Sequence, residues 1–318
     1  MLSDLLLSLE RGVAPLIALI ALGFIWRKNP PGGLSVVDTR RTINALVLYL
    51  FYPGIAYDVI SRAHFGLEVI WVPTSIWLGL LVAMGLGWLV FARPRALWGI
   101  AAPGVGALLI ASSFGNILSM GIAVLQSLFG PDAARYAIYA DVLGISILYW
   151  TLGAGTAAVL GAKEQSFHLG TFALTLLKMP PVWAFCAGLL VNLLAIPMPQ
   201  WVSATAHLLG QAVVPSMLLT VGMSISLETV KRSPRMILAA SAIKLIVMPA
   251  LVAAVVLPLF GMTEVTQVMI LLAGMPTMMA TVLLSERFGL DTEILAAVMV
   301  VSTLGFFFTL PLMVVLLL

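Results

Sequence analysis

Residues 106–121 read GALLIASSFGNILSMG, a polar and glycine-containing centre within an apolar run from residue 98 to residue 129. The run is long enough to cross a bilayer, which takes about 20 apolar residues in a helix. Two serines, a glycine and an asparagine fall within five residues at its middle. Lipid offers no hydrogen-bond partners, so such a middle is tolerated only where it faces protein or a wet cavity. The stretch therefore predicts a membrane helix that is interrupted near its centre.

A second stretch of the same character reads LAGMPTMMAT over residues 272–281. Pro276 removes one intrahelical hydrogen bond and clashes with the preceding turn, so it favours a break here as well. Two interrupted membrane helices at corresponding places in two halves of a chain are typical of the binding site of a secondary transporter. The rest of the sequence is interpreted as a scaffold around this pair.

The composition is that of a membrane protein. Of 318 residues, 62% are hydrophobic and only 9% are charged, whereas soluble domains carry about 25% charged residues. We therefore predict an all-α polytopic protein whose surroundings are the lipid bilayer, and no nucleic-acid partner. The single cysteine, Cys186, excludes a disulfide framework and a cysteine-ligated metal site. Cys186 is expected to be a small core residue.

Apolar runs and the polar residues between them predict ten transmembrane helices of about 20 residues each. Their approximate limits are 5–26, 41–60, 68–91, 98–127, 134–160, 169–195, 200–226, 235–260, 264–287 and 291–317. Eleven of the sixteen lysines and arginines lie on the side of the odd-numbered connections and three on the other side. Because positive residues stay on the cytoplasmic side, the sequence predicts a multi-pass plasma-membrane (inner-membrane) protein with both termini outside the cytoplasm.

The two halves of the chain share weak internal similarity at an offset of 162 residues. Residues 46–55, LVLYLFYPGI, align with residues 208–217, LLGQAVVPSM, so that Pro53 coincides with Pro215. The same offset aligns the two interrupted stretches with each other. Since five helices is an odd number, the halves would have opposite topology. We predict a 5+5 inverted repeat within one membrane domain, with helices 1–5 in residues 1–160 and helices 6–10 in residues 161–318.

Several motifs resemble the auxin efflux carrier family of membrane transporters, in particular its bacterial members. SFGN at residues 113–116 is similar to the family's signature in helix 4, and GMPT at 274–277 with LSERFG at 284–289 to that in helix 9. Further similarities are Tyr52-Pro53 after Asn44, Val214-Pro215 with Gly222, KMPP at 178–181, and Asp141 with WTLG at 150–153. The resemblance covers nearly the whole chain.

The resemblance implies ten helices in two inverted halves, with the broken helices 4 and 9 crossing each other. It also implies a transporter of organic anions, either auxin-like acids or dicarboxylates such as malate or malonate, and it suggests a homodimer. One departure is clear, because the family usually follows the asparagine of helix 4 with a proline. Here Asn116 is followed by ILSMGIA, so glycine and serine must break the helix without it.

The second half of a broken helix begins with unsatisfied backbone N–H groups and a partial positive charge. Such ends bind carboxylates without a basic side chain. We expect the breaks to bind the anion, with Asn116 donating its side-chain amide. The other predicted substrate-binding residues in the breaks are Ser112, Ser113, Gly115, Pro276 and Thr277. The alternative role of Asn116 is an interhelical hydrogen bond that holds the helices together.

Two charged residues within predicted helices are candidates for ion coupling. Lys244 could attract the anion or imitate a coupling cation, or its ammonium could reach the cytoplasmic surface along the helix. Asp141 could exchange a proton or bind sodium, because burial moves the titration of a carboxylic acid towards neutral pH. Its alternative role is a structural partner for a helix end or for Tyr136 and Tyr139.

Further predictions concern polar residues of helix 2 and the histidines. Asn44 and Tyr52 precede the proline of helix 2 and are predicted to line the substrate cavity, with packing around a kink as the alternative. Asp58 is near a helix end and is expected to be solvated. The three histidines show no spacing typical of a metal site.

A secondary transporter is therefore the predicted function, with no cofactor and with H⁺ or Na⁺ as the coupling ion. An enzyme is not predicted, because the sequence has no paired aspartates, zinc-binding histidine pair or glycine-flanked serine nucleophile. The alternative function is a channel-like or facilitative pore for a small organic solute, because broken helices also occur in pores.

Overall fold

The fold is helical throughout the part of the chain that the computed structural model describes, residues 14–63, 65–93, 98–163, 180–224 and 233–318. Within these ranges the only extended pairing is one isolated bridge. The α-helices, with the wider turns that some contain, are α1 Ala14–Lys28, α2 Val36–Arg62, α3 Glu68–Ala92, α4 Ala102–Ser113, α5 Ile122–Phe129, α6 Pro131–Leu160, α7 Pro180–Leu193, α8 Gln200–Met223, α9 Pro234–Phe260, α10 Glu264–Ala273, α11 Thr281–Phe288 and α12 Thr292–Leu317. Lys178, in one of the family-like motifs, lies outside the described residues.

Six of these helices, α2, α3, α6, α8, α9 and α12, are long and apolar enough to cross a membrane. Three more apolar helices, α4, α7 and α10, have between 10 and 17 described residues.

Two of the long helices begin with a side-chain cap. Helix α2 begins at Val36, earlier than the predicted residue 41, because the Ser35 hydroxyl accepts a hydrogen bond from the backbone N–H of Asp38. Asp291 caps α12 in the same way, by accepting from the N–H of Ile294.

Several long helices contain π-helical turns, in which the backbone hydrogen bond spans one residue more than in an α-helix. They occupy Val47–Phe51 in α2, Trp88–Ala92 in α3, Ala140–Ile145 and Tyr149–Gly153 in α6, and Ile243–Val247 in α9. Asp141 and Lys244 both lie inside such turns, and Tyr52 directly follows one. Such turns are common at functional sites, since the inserted residue redirects the side chains around it.

The chain forms two compact units, each assembled from separated stretches of sequence. Unit 1 comprises Met1–Leu67, Leu118–Val142 and Leu174–Ile225. In it α2 packs against α7 and α8, and the second half of α8 packs against α1. The backbones of α1 and α8 approach closely at Gly23 and Gly222, because a Cβ built on Gly222 would lie 2.0 Å from the carbonyl oxygen of Ile20. Only glycine permits this approach.

Unit 2 comprises Glu68–Ile117, Leu143–Ala173 and Ser226–Leu318. Helices α3, α9 and α10 pack against one another, and α4 packs against α3 and α12. The centre of this unit is apolar and includes Ile76, Leu108, Ile110 and Leu272, none of which has exposed surface. This core positions the ends of α4 and α10.

Large apolar side chains cover much of the outer surface. Val159 is 82% exposed and Phe308 is 80% exposed. A soluble protein rarely exposes contiguous apolar surface of this kind, whereas a protein in lipid gains by doing so. Cys186, expected in the core, is exposed on α7, because it lies on the face of the helix turned away from the rest of the unit.

Candidate functional site

Helix α4 stops in the middle of its apolar run. It ends at Ser113, and Phe114 has an extended backbone with φ −84° and ψ 117°. Helical structure resumes with the π-helical turn Ile117–Gly121, which leads into α5. The polar cluster at residues 112–116 therefore coincides with a non-helical gap.

Helix α10 stops in a similar way. It ends at Ala273, and the next helix, α11, begins at Thr281. The residues between them, which include Pro276, form no helix. Pro276 has no backbone N–H to donate, so the end of helical structure at this residue costs Pro276 no hydrogen bond.

The two gaps pair with each other. Gly115 and Thr277 form an antiparallel bridge. The backbone N–H of Asn116 donates to the Pro276 carbonyl at 2.7 Å, and that of Met278 donates to the Phe114 carbonyl at 2.9 Å. We call segments 114–116 and 276–278 the bridge. Each gap thus satisfies backbone groups of the other, as an apolar environment requires.

Thr277 ties the bridge to its surroundings. Its hydroxyl donates to the Ala111 carbonyl in the last turn of α4 at 2.7 Å, and its backbone N–H donates to the Ser302 hydroxyl at 3.1 Å. Ser302, on α12, was not among the predicted site residues, although a serine followed by a threonine inside an apolar helix is a detectable signal. The bridge is therefore anchored on α4 and α12.

The other predicted residues of the breaks are buried beside the bridge. Ser112 and Ser113 have no exposed surface, and both hydroxyls donate to the Leu109 carbonyl of their own helix, at 3.2 and 2.8 Å. Their oxygens keep lone pairs that can accept hydrogen bonds. Asn116 is 4% exposed. The structure thus brings Ser112, Ser113, Gly115, Asn116, Pro276 and Thr277 together in unit 2.

Lys244 joins this group, and of the roles considered for it, the one in which its ammonium reaches the cytoplasmic surface is wrong. The side chain has no exposed surface, and Nζ donates to the Ala273 carbonyl at 2.6 Å, at the end of α10. A Cβ built on Gly115 would lie 3.0 Å from Nζ. The carboxyl end of a helix carries a partial negative charge, so the ammonium complements the end of α10 instead of extending towards water.

In unit 1 the structure brings Tyr52 and Asp141 together. The Tyr52 hydroxyl donates to Oδ2 of Asp141 at 2.8 Å, and both residues are buried. The partner of Asp141 is thus a tyrosine from α2 and not one of the expected neighbours on its own helix. Asn44, also predicted to line the cavity, is half-buried on α2.

The Tyr52→Phe variant is expected to be less stable than the wild type by about 1.5–3 kcal/mol, because the buried carboxylate loses a charge-assisted hydrogen bond. Thermal unfolding in detergent measures this. Tyr49→Phe on the same helix is the matched control, since Tyr49 is 64% exposed. Equal melting temperatures for the two variants would contradict the assigned bond.

Asp58 is buried, so the expectation that it is solvated is wrong. It is 4% exposed, it forms an ion pair with Arg62, and its Oδ2 lies 3.1 Å from Nδ1 of His207. These contacts join α2 to α8 within unit 1. The spacing of the histidines in the sequence could not reveal them, because Asp58 and His207 are 149 residues apart. No group of metal-ligating side chains occurs among the described residues.

Comparison with known proteins gives this geometry a context. A model of the membrane transport protein family matches residues 11–314. An "Uncharacterized transporter" of Methanothermobacter thermautotrophicus is 24% identical over 94% of this chain and 95% of its own length. The uncharacterized transporter YfdV of Escherichia coli is 25% identical over 94% of both chains. A Rhizobium meliloti protein named "Putative malonate transporter" is 24% identical over 92% of this chain and 90% of its own.

The match spans almost the entire chain, and the matched proteins are transporters and not enzymes. A transporter of this family needs no cofactor for its activity, in accord with the expectation from the sequence. The apolar helices make it an integral membrane protein. The chain therefore belongs to the membrane transport protein family, in agreement with the resemblance of its motifs to auxin efflux carriers.

Proposed function

We propose that the protein is a secondary active transporter that moves a small organic anion across the membrane by alternating access, with the substrate bound beside the bridge. In this proposal the ten predicted transmembrane helices form two inverted halves, residues 1–160 and 161–318. Helices 4 and 9 are the broken pair, α4 with α5 and α10 with α11. The bridge between Gly115 and Thr277, which are 162 residues apart, supports this arrangement.

The observation that carries the proposal is the ammonium of Lys244. It is fully buried, and no carboxylate among the described residues forms an ion pair with it. An ammonium has three N–H donors, and the acceptors in contact are the Ala273 carbonyl and the weakly accepting sulfur of Met248. One donor and the positive charge therefore remain for a ligand. A substrate carboxylate supplies both the acceptor and the opposite charge.

The residues of the bridge complete the proposed site. Asn116 donates its side-chain amide to the carboxylate, and Ser112 and Ser113 lie in the adjacent turn of α4. The first turn of α11 adds the partial positive charge of a helix amino end. Gly115 allows the Lys244 side chain to pass close to the backbone, since a Cβ there would lie 3.1 Å from Cε. Thr277 and Pro276 hold the bridge through the hydrogen bonds of their backbone and hydroxyl groups.

Coupling to an ion is assigned to Asp141 and Lys244. Asp141, held by Tyr52, is the carboxylate that takes up H⁺ or Na⁺, and Asn44 and Tyr52 contribute to the substrate path. Lys244 takes the place of a second coupling cation at the end of α10. Both residues lie in π-helical turns, which supports a functional assignment.

The substrate class follows from the charge of the site and from the relatives. An auxin-like acid or a dicarboxylate such as malate or malonate carries the required carboxylate, and one relative is named "Putative malonate transporter". The charge distribution of the loops supports a plasma-membrane location with both termini outside the cytoplasm. The family resemblance supports a homodimer.

Replacement of Asn116 by alanine is expected to reduce malonate uptake by about 10- to 150-fold, because one strong hydrogen bond to a charged group contributes about 1.5–3 kcal/mol. Uptake of labelled malonate into proteoliposomes at equal protein content measures this. Asn29→Ala, at an exposed position after α1, is the control.

The same uptake assay on the wild-type protein distinguishes a carrier from a channel, because saturable uptake with counterflow identifies a carrier. Undiminished uptake by Asn116→Ala would refute the contact, and unitary currents would refute the carrier mechanism.

A further inference from the structure

Unit 1 contains a cavity of about 530 Å³ that none of the bridge residues lines. Its volume falls within the range of about 300–1,000 Å³ that is typical of sites for small molecules. Apolar side chains of α2 and α8 form part of the wall. The polar side chains in the wall are Asp58, Arg62, Gln126, Asp132, Arg135, His207 and Gln211.

Asp58 holds one side of this cavity together. Its buried carboxylate binds Arg62 on its own helix and His207 on α8. The side-chain amide nitrogen of Gln211 lies 3.1 Å from Nε2 of His207. These distances fit a neutral imidazole that donates from Nδ1 to Asp58 and accepts from Gln211 at Nε2. The charge of Asp58 is therefore matched within the wall, and Asp58 is not free to bind a cation.

Arg135 also lines the cavity, but its charge is not matched by a carboxylate in this way. Its guanidinium stacks on the ring of Tyr136 at 4.4 Å, and its Nη2 donates to the Tyr136 hydroxyl at 2.8 Å. Its Nη1 lies 3.4 Å from the backbone carbonyl of Asp132. The Nε–H is buried without a partner, and no carboxylate among the described residues forms an ion pair with Arg135. Asp132 itself is exposed.

A guanidinium that is fixed by stacking, partly removed from water and not neutralised favours an anion beside it. Its planar arrangement of N–H donors matches the two oxygens of a carboxylate. The apolar side chains of Ile55, Val59 and Val214 line the same cavity and can contact the carbon skeleton of an organic acid.

We propose that this cavity is a binding site for a small organic carboxylate, with Arg135 as the residue that receives the carboxylate group. The site is separate in its residues from the bridge and goes beyond the proposed function. Arg62, held in place by Asp58, lies in the same wall and contributes further N–H donors.

Chemical modification of the wild-type protein tests this without any variant. Phenylglyoxal reacts with accessible arginines, and peptide mass spectrometry follows each arginine separately. Malonate at about ten times its Kd is expected to slow the modification of Arg135 by about tenfold, because only the unliganded guanidinium reacts. Arg41 is the internal reference, because its side chain is 75% exposed and pairs only at 4.0 Å with Asp38. Equal rates with and without malonate would overturn the proposal.

Two control experiments distinguish binding at this cavity from binding at the bridge and from general effects of ions. In the Asn116→Ala protein, malonate is expected to protect Arg135 as well as in the wild type. Loss of protection there would show that malonate acts from the bridge, and would overturn a second site. Chloride and tetramethylammonium at matched concentration are expected to protect weakly. Protection by either of them equal to that by malonate would overturn the carboxylate assignment.

Discussion

Replacement of Gly222 by alanine is expected to destabilise the protein by about 3 kcal/mol or more, the upper end of the usual penalty for adding a methyl group to a packed contact. The new Cβ would lie 2.0 Å from the Ile20 carbonyl oxygen and 2.8 Å from the Cα of Gly23. Both neighbours are backbone atoms, so no side-chain rotation relieves the clash. Helices α1 and α8 must separate, and the packing between them is lost.

Gly85→Ala is the matched control for this prediction. Gly85 lies inside α3, and nothing would lie within 4 Å of a Cβ there. Alanine is the better helix former by about 1 kcal/mol, so this variant should melt at the wild-type temperature or slightly above it. Thermal unfolding in the same detergent compares the two. A Gly222→Ala protein as stable as Gly85→Ala would show that the close approach of α1 and α8 is not tight.

Replacement of Lys244 by methionine is expected to abolish malonate uptake and to lower stability. Methionine fills a similar volume but donates no hydrogen bond, so the buried Ala273 carbonyl loses its donor at a cost of about 1–3 kcal/mol. The substrate carboxylate also loses its positive partner beside the bridge. We therefore expect uptake to fall further than in Asn116→Ala, to the level of empty liposomes.

Lys28→Met is the control, because Lys28 is exposed and its ammonium lies over the ring of Phe24 at 5.0 Å. Malonate binding by calorimetry at a temperature where both proteins are folded separates the two effects of the Lys244 change. Normal binding by a folded Lys244→Met protein would limit the lysine to a structural role. Lost binding with intact folding would assign the positive charge to substrate recognition.

The interruption of both apolar stretches could be predicted from the sequence because it follows from single residues. A cluster of serine, glycine and asparagine, or a proline, cannot continue a lipid-exposed helix without unsatisfied polar groups. The bridge itself could not be derived in this way. It depends on hydrogen bonds between residues 114–116 and 276–278, and only the internal offset of the repeat placed these segments in register.

The errors in prediction concern charged residues. Asp58 was expected to be solvated, and one of the roles considered for Lys244 was to extend its ammonium to water, because a lone charge in an apolar helix is costly. In the structure each has a partner far away in sequence, His207 for the carboxylate and the Ala273 carbonyl for the ammonium. Burial of a charge is decided by such partners, and a single sequence does not show which helices will meet. Arg135 was missed for a related reason: its own contacts are local, but the cavity that it lines is formed by residues far apart in sequence.

The contact between Lys244 and Ala273 has a consequence for how the protein enters the membrane. The carbonyl that accepts from the lysine lies 29 residues further along the chain, so α9 leaves the ribosome before its partner helix exists. A lysine at the centre of a helix costs about 2.5–3.5 kcal/mol on translocon insertion scales. The remainder of α9 must offset this cost alone, and its mean hydropathy of 2.4 is the highest of the six long helices described. The order of synthesis thus accounts for a charge inside the most apolar of these helices.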